Sequence, residues 1–142
     1  HQDPAALTPR FLMARRDAAQ LIRLVEERAP SEAVGLLGAI STALGMRLRL
    51  YPILEAVTGP TGFRVTTRQL AGTRSAIRRD GLLLAGCFHT HPTAGPAPSG
   101  LDRASMLRLP GWWLIYSRPA RRALIVRLRA GVLEQGRLKV VR

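Results

Sequence analysis

Residues 82–92 read LLLAGCFHTHP, and residues 93–102 continue TAGPAPSGLD. The run from Leu82 to Thr90 is short, apolar and free of proline, which predicts a buried strand. Pro92 stops that strand and turns the chain. Residues i and i+2 of a strand face the same side, so His89 and His91 present both imidazoles to one point at the strand's end. Thr90, between them, faces the other side and reads as inert. Thr93 to Pro98 is a loop rich in proline, alanine and glycine. Ser99 then caps a helix running to Leu107, with Asp102 three residues on, as in a capping box with Asp in place of Glu. A loop of this length folds back far enough to deliver the Asp102 carboxylate to the two histidines.

Two imidazoles and one carboxylate leave the fourth position of a tetrahedral zinc ion open for water, the mark of a catalytic rather than a structural site. The same mixed donor set also accommodates Fe²⁺ or Mn²⁺. A metal there lowers the pKa of its water and polarises a carbonyl. Such chemistry needs a carboxylate to take and return protons. Glu32 is the candidate, because it opens the apolar segment Glu32-Ala33-Val34-Gly35-Leu36-Leu37-Gly38, an unusual place for a charge. Ser99, at the helix start beside Asp102, can steady an oxyanion with its hydroxyl and the neighbouring backbone N–H groups. Each residue alone has a plainer account. A strand-end histidine pair is usually ordinary surface or core, Asp102 suits a helix dipole, Ser99 a cap, and Glu32 a post-helix surface. Their joint spacing carries the reading.

Outward from this segment, Leu7 to Met13 reads as a short strand or lead-in, with Pro9 marking an edge. Ala14 to Arg28 is a helix with Ala18, Leu21, Ile22 and Val25 inward, ended by Pro30. Ala33 to Ile40 is a glycine-broken buried strand. Met46 to Leu54 alternates, with Met46, Leu48 and Leu50 on one face and Arg47 and Arg49 on the other. Thr58 to Gly62 is a loop, followed by a strand around Phe63 to Val65. Thr67 to Arg79 is helical, with Leu70, Ile77 and Ala71 inward and Gly81 closing it. Trp112 to Tyr116 and Ala123 to Arg129 are strands joined near Arg118-Pro119. A last hairpin pairs Val132-Leu133 with Leu138 to Val141. This order predicts an α/β (α+β) domain, a mixed sheet with helices packed against it.

His89-x-His91-Pro92, then Ser99, then Asp102, together with upstream Glu32-x-x-Gly35-x-Leu37-Gly38, resembles the JAMM motif of the MPN (JAB/MPN/Mov34) metalloproteases, compact prokaryotic type. The likeness spans most of the chain. It implies a mixed, largely antiparallel β-sheet flanked by helices, one zinc per chain, and hydrolysis of amide bonds. It further implies that His89, His91 and Asp102 bind zinc, that Glu32 is the general acid/base and that Ser99 stabilises the tetrahedral intermediate. Compact prokaryotic relatives imply a ubiquitin-like or sulfur-carrier partner, removed from a lysine side chain or releasing an attached cysteine. The alternatives are a zinc hydrolase of small peptides or amides, and a basic module binding nucleic acid or protein with an idle metal site.

Composition bounds the rest. At 142 residues and 46% hydrophobic, the chain suits one compact domain over residues 1–142. No run approaches the ~18 apolar residues of a membrane helix, so no membrane partner is expected. His1-Gln2-Asp3-Pro4 lacks the basic-then-apolar pattern of a signal peptide, and His1 reads as a cloning or processing remnant. Cys87 is the only cysteine, excluding an internal disulfide. It reads as a buried filler in a protein of the reducing cytoplasm. The net charge is +13, almost all arginine, with Lys139 the only lysine. Such a surface attracts polyanions, although Arg15-Arg16, Arg78-Arg79 and Arg121-Arg122 are scattered pairs rather than a block. Compositional drift and an acidic partner both remain open. Of Trp112 and Trp113 at least one is expected in the core, the other lining a substrate groove or a homodimer contact.

Overall fold

The computed structural model describes residues 8–109 and 111–142, so that the expectations touching His1 to Leu7 lie outside the described residues. In chain order the elements are β1 (Arg10–Ala14), α1 (Arg15–Arg28), β2 (Val34–Thr42), β3 (Gly45–Pro52), β4 (Val57–Gly59), β5 (Gly62–Arg64) and α2 (Thr67–Arg79). There follow β6 (Leu83–His91), α3 (Gly100–Arg108), β7 (Trp112–Ser117), β8 (Arg122–Arg129), β9 (Val132–Gln135) and β10 (Arg137–Val141). Eight strands form one sheet in the order β10-β1-β3-β2-β6-β7-β8-β9, while β4 and β5 form a separate hairpin. Pairing is antiparallel except at β10–β1, β1–β3 and β6–β7. The expected mixed, largely antiparallel sheet with flanking helices is therefore present.

The sheet's two end strands, β9 and β10, are consecutive in the chain and separated by Gly136 alone. Laid flat, eight strands at ~4.8 Å spacing would hold their ends roughly 34 Å apart, whereas one residue bridges about 7 Å. The sheet must therefore curl until its ends approach. Gly136 N–H donates to Ile125 O and Arg137 N–H to Pro9 O, both at 2.8 Å, across the seam so formed.

Alternation along the central strands divides the core between the two faces. Leu37, Phe88, Leu114 and Ile125 pack with Leu21 and Leu24 of α1. Their neighbours Leu36, Cys87, Trp113 and Val126 pack with Ile77 of α2 and Met106 of α3. Cys87 and Trp113 are buried, as expected, and Trp112 is half-buried. A capping box starts α2: Thr66 Oγ1 accepts the Gln69 N–H and Gln69 Oε1 accepts the Thr66 N–H.

Several expectations are corrected. The strand after Pro9 lies inside the sheet, because β10 returns from the far end of the chain to cover it. For the same reason β9 and β10 are no hairpin: β9 pairs with β8 and β10 with β1. The segment read as a loop at 58–62 is the tip of the β4–β5 hairpin, whose three-residue strands are too short to show alternation. In α1 the buried residues are Leu21, Leu24 and Val25, and Ile22 is 48% exposed on the helix flank. Ala71 of α2 is exposed. Strand β6 is buried only from Gly86 onward, with Leu83 and Leu84 exposed.

Candidate metal centre

Strand β6 is central and ends inside the molecule, so the imidazoles at its end start from buried backbone. Both are almost wholly enclosed, at 0% exposure for His89 and 4% for His91. As i and i+2 they project to one side, with their Nε2 atoms 3.2 Å apart. Asp102 arrives from the first turn of α3. Its Oδ1 lies 3.0 Å from His89 Nε2 and its Oδ2 3.0 Å from His91 Nε2. One ligand atom from each of the three residues fits within 4.8 Å of the others, a grouping able to hold a metal ion. The predicted capping box places the carboxylate: Ser99 Oγ accepts the Asp102 N–H at 3.0 Å, and Asp102 Oδ2 accepts the Ser99 N–H at 2.8 Å. The exposed Ser99 hydroxyl keeps its own proton available to donate.

The His91 tautomer suits a cation. His91 Nδ1–H donates to the Gly95 carbonyl at 2.7 Å, so in its neutral form this imidazole turns its Nε2 lone pair to the cluster. Burial pushes the His89 pKa down, against the pull of Asp102, and keeps that imidazole neutral. For His91 burial also acts downward, yet bonds to Asp102 and Gly95 carry the pKa upward. Asp102 is desolvated, which alone would raise its pKa, but the bonds from both histidines hold it far below the usual carboxylate range. The Nε2 atoms and the carboxylate lie so close in a buried space that they repel one another unless a proton or a metal ion sits among them. The donor chemistry therefore fits a divalent metal, with nitrogen and oxygen ligands of the kind zinc accepts.

Glu32 lies just before β2, buried to 3% exposure. Its backbone N–H donates to Gly59 O of β4 at 2.8 Å. Among the described residues its Oε1 is buried without a hydrogen-bond partner. Burial pushes its pKa up to about 7, the charge on His91 lowers it and that on Asp102 raises it, so this carboxyl shares the electrostatic field of the cluster. All five residues singled out in the sequence thus belong to one neighbourhood.

Four residues around it were not singled out for the site. Trp113 packs its ring edge-on against His89 at 5.3 Å between centroids, and its Nε1–H donates to Leu109 O at the end of α3. Phe63 of β5 covers His89 at 5.4 Å. Ser117 Oγ–H donates to Ala94 O at 2.6 Å, holding the loop that supplies Gly95. Thr90 is fully buried and accepts the Ala33 N–H on its Oγ1 at 2.8 Å, so it is bonded rather than inert. Only Thr90 left a signal in the sequence: a hydroxyl in an apolar strand needs a partner.

Solved structures share this architecture. A protein of Desulfitobacterium hafniense superposes with a TM-score of 0.78 at 21% identity, covering 92% of each chain. A JAB1/MPN domain protein from Archaeoglobus fulgidus gives a TM-score of 0.58 at 22% identity, over 92% of this chain and 98% of that one. A structure described as JAMM, a metalloprotease-like zinc site in the proteasome and signalosome, gives 0.55 at 16% identity, over 93% and 98%. The fold is thus that of the JAB/MPN class. Within it, the chain belongs to the family of prokaryotic homologs of the JAB domain, whose sequence profile matches residues 15–128. It is also 25% identical to a desampylase of Pyrococcus furiosus over 96 residues, 68% of this chain and 69% of that protein.

Proposed function

We propose that this chain is a zinc-dependent isopeptidase or protease acting on the amide bond after the C-terminal glycine of a ubiquitin-like or sulfur-carrier protein. The single observation carrying this reading is the convergence of His89, His91 and Asp102 within reach of one ion, with the buried Glu32 carboxyl, its Oε1 without a partner among the described residues, in the same field. Family membership and the desampylase relative support a hydrolase of the isopeptidase kind.

His89 Nε2, His91 Nε2 and an Asp102 oxygen would hold one zinc per chain. Zinc, when bound, supplies Lewis acidity that polarises the scissile carbonyl and makes water more acidic. Glu32 takes a proton from the attacking water and returns it to the leaving amine. A pKa near neutrality serves both halves of that task. Ser99 donates its hydroxyl hydrogen to the oxyanion of the tetrahedral intermediate. The aromatic rings of Phe63 and Trp113 keep water off His89. An extended glycine-ended tail enters along an exposed strand edge, as backbone-paired peptides do. The domain works as one unit over its 142 residues. Its charge of +13 speeds encounter with an acidic modifier, an advantage that fades as salt rises.

The test is cleavage of a ubiquitin-like protein fused through its terminal glycine to a peptide. Cleavage is expected to stop with a chelator, return with added zinc, and fall at least ~100-fold in His91→Ala. Equal cleavage with and without metal overturns the proposal. Cleavage of short peptides carrying the same tail, but not of the fusion, moves the substrate to small amides.

A further inference from the structure

Thr90 occupies the last step of the β2–β6 ladder. The register pairs Val34 with His89, which leaves Ala33 opposite Thr90. Thr90 N–H donates to Ala33 O at 3.0 Å, and the return bond from Ala33 N–H goes to the Thr90 side-chain oxygen at 2.8 Å. Both backbone polar groups of Ala33 are therefore held by one residue, 57 positions away. Ala33 is 4% exposed and Thr90 fully buried, so no water competes for these bonds. Immediately upstream, Glu32 N–H is fastened to Gly59 O at 2.8 Å. The Glu32 Oε1 has no partner among the described residues. The direction of this carboxyl is thus set largely by the backbone on either side of it, and the downstream half of that grip is Thr90.

We propose that Thr90 is a positioning residue for Glu32: its hydroxyl oxygen extends the ladder one residue beyond β2 and fixes the backbone from which the carboxyl projects. One residue thereby serves both halves of the centre. It stands between the two residues that carry the imidazoles on one face of β6, and its side chain, on the other, ties down the segment that carries the proton carrier. The consequence for catalysis rests on the reading of Glu32 given above, whereas the clamp itself does not.

The experiment compares Thr90→Ser, which keeps the acceptor, with Thr90→Val, which keeps the shape and removes it. Amide hydrogen exchange at Ala33 and Leu37 is measured on the zinc-free chain. Zinc affinity, kcat and KM on the modifier–peptide fusion are measured on the loaded chain. The expectation for Thr90→Val is faster exchange at Ala33 with Leu37 still protected. Its kcat is expected to be lower by ~10–100-fold, with KM and zinc affinity within about threefold of the parent. Thr90→Ser is expected to behave as the parent in every measurement. Unchanged Ala33 exchange in Thr90→Val overturns the proposal, as does loss of zinc affinity in step with kcat, or loss of Leu37 protection. A parent that cleaves nothing defeats the proposed function, and the exchange data then decide the Thr90 clamp by themselves.

Discussion

The Glu32 carboxyl is buried at neutral pH with one oxygen unbonded, an arrangement that a fold selected only for stability would avoid. Its pKa of about 7 in the folded chain, against 4.5 ordinarily, means that folding favours the protonated form. The stabilisation this group gives is complete below 4.5 and is lost as pH rises through 7. Glu32→Gln, which cannot ionise, is therefore expected to be more stable than the metal-free parent at about pH 8, on the order of 2 kcal/mol after allowing for solvent screening. The two should converge near about pH 4, and the same variant should lose ~100- to 10,000-fold in cleavage. Thermal unfolding of both proteins with chelator, followed across pH, measures the first claim. Coincident melting points at the alkaline end would show a solvated carboxylate. The five candidate residues, which the fold brings into one neighbourhood, could be picked out in the sequence because four of them stand at a fixed local spacing and Glu32 is a charge where apolar residues are expected. Thr90 could not be placed, because its partner is Ala33 across a strand pair whose register no local pattern states.

Elements hold the centre from a side the motif does not mention. The end of β7 organises the loop after His91: Arg118 N–H donates to His91 O at 3.0 Å, and Ser117, fully buried, bonds Ala94 O and accepts the Ala120 N–H at 3.1 Å. Gly95, next to Ala94, is the residue whose carbonyl fixes the His91 tautomer. Ser117→Ala is expected to weaken zinc binding by ~10-fold through this loop, with a stability cost of about 1 kcal/mol. Competition against a chromophoric chelator reads the affinity, and an unchanged value would mean that the loop is held without Ser117. Helix and strand identities were legible because periodicity is local, as in α2 with Ile77 buried and β3 with Leu48 and Leu50 inward. Neighbour relations were not. Pro9 suggested an edge for β1, and only the arrival of β10 from the chain's end makes that strand internal.

At the scale of the whole molecule, the curl of the sheet turns on one residue between its two ends. A Cβ on Gly136 would stand 2.6 Å from the Phe11 ring and 3.2 Å from Ile125 Cγ2, and both side chains are locked in the core beneath α1. Neither can retreat without disturbing the packing of Leu21 and Leu24 against the sheet, so the added methyl is absorbed as strain or by parting the seam. Gly136→Ala is therefore expected to destabilise the chain by about 1–3 kcal/mol, lowering the melting point by roughly 3–10 °C in a protein of this size. Gly72 provides the control. It lies within α2, where a Cβ meets nothing within 4 Å. Gly72→Ala should raise stability by up to ~1 kcal/mol, because alanine loses less backbone entropy in a helix. Opposite signs from the same substitution would locate the constraint in the closure of the sheet. If Gly136→Ala also stabilises, the ends of the sheet are not tightly joined. The seam is then loose, and the single bond from Gly136 to Ile125 contributes little to holding the curl that brings β10 back beside β1.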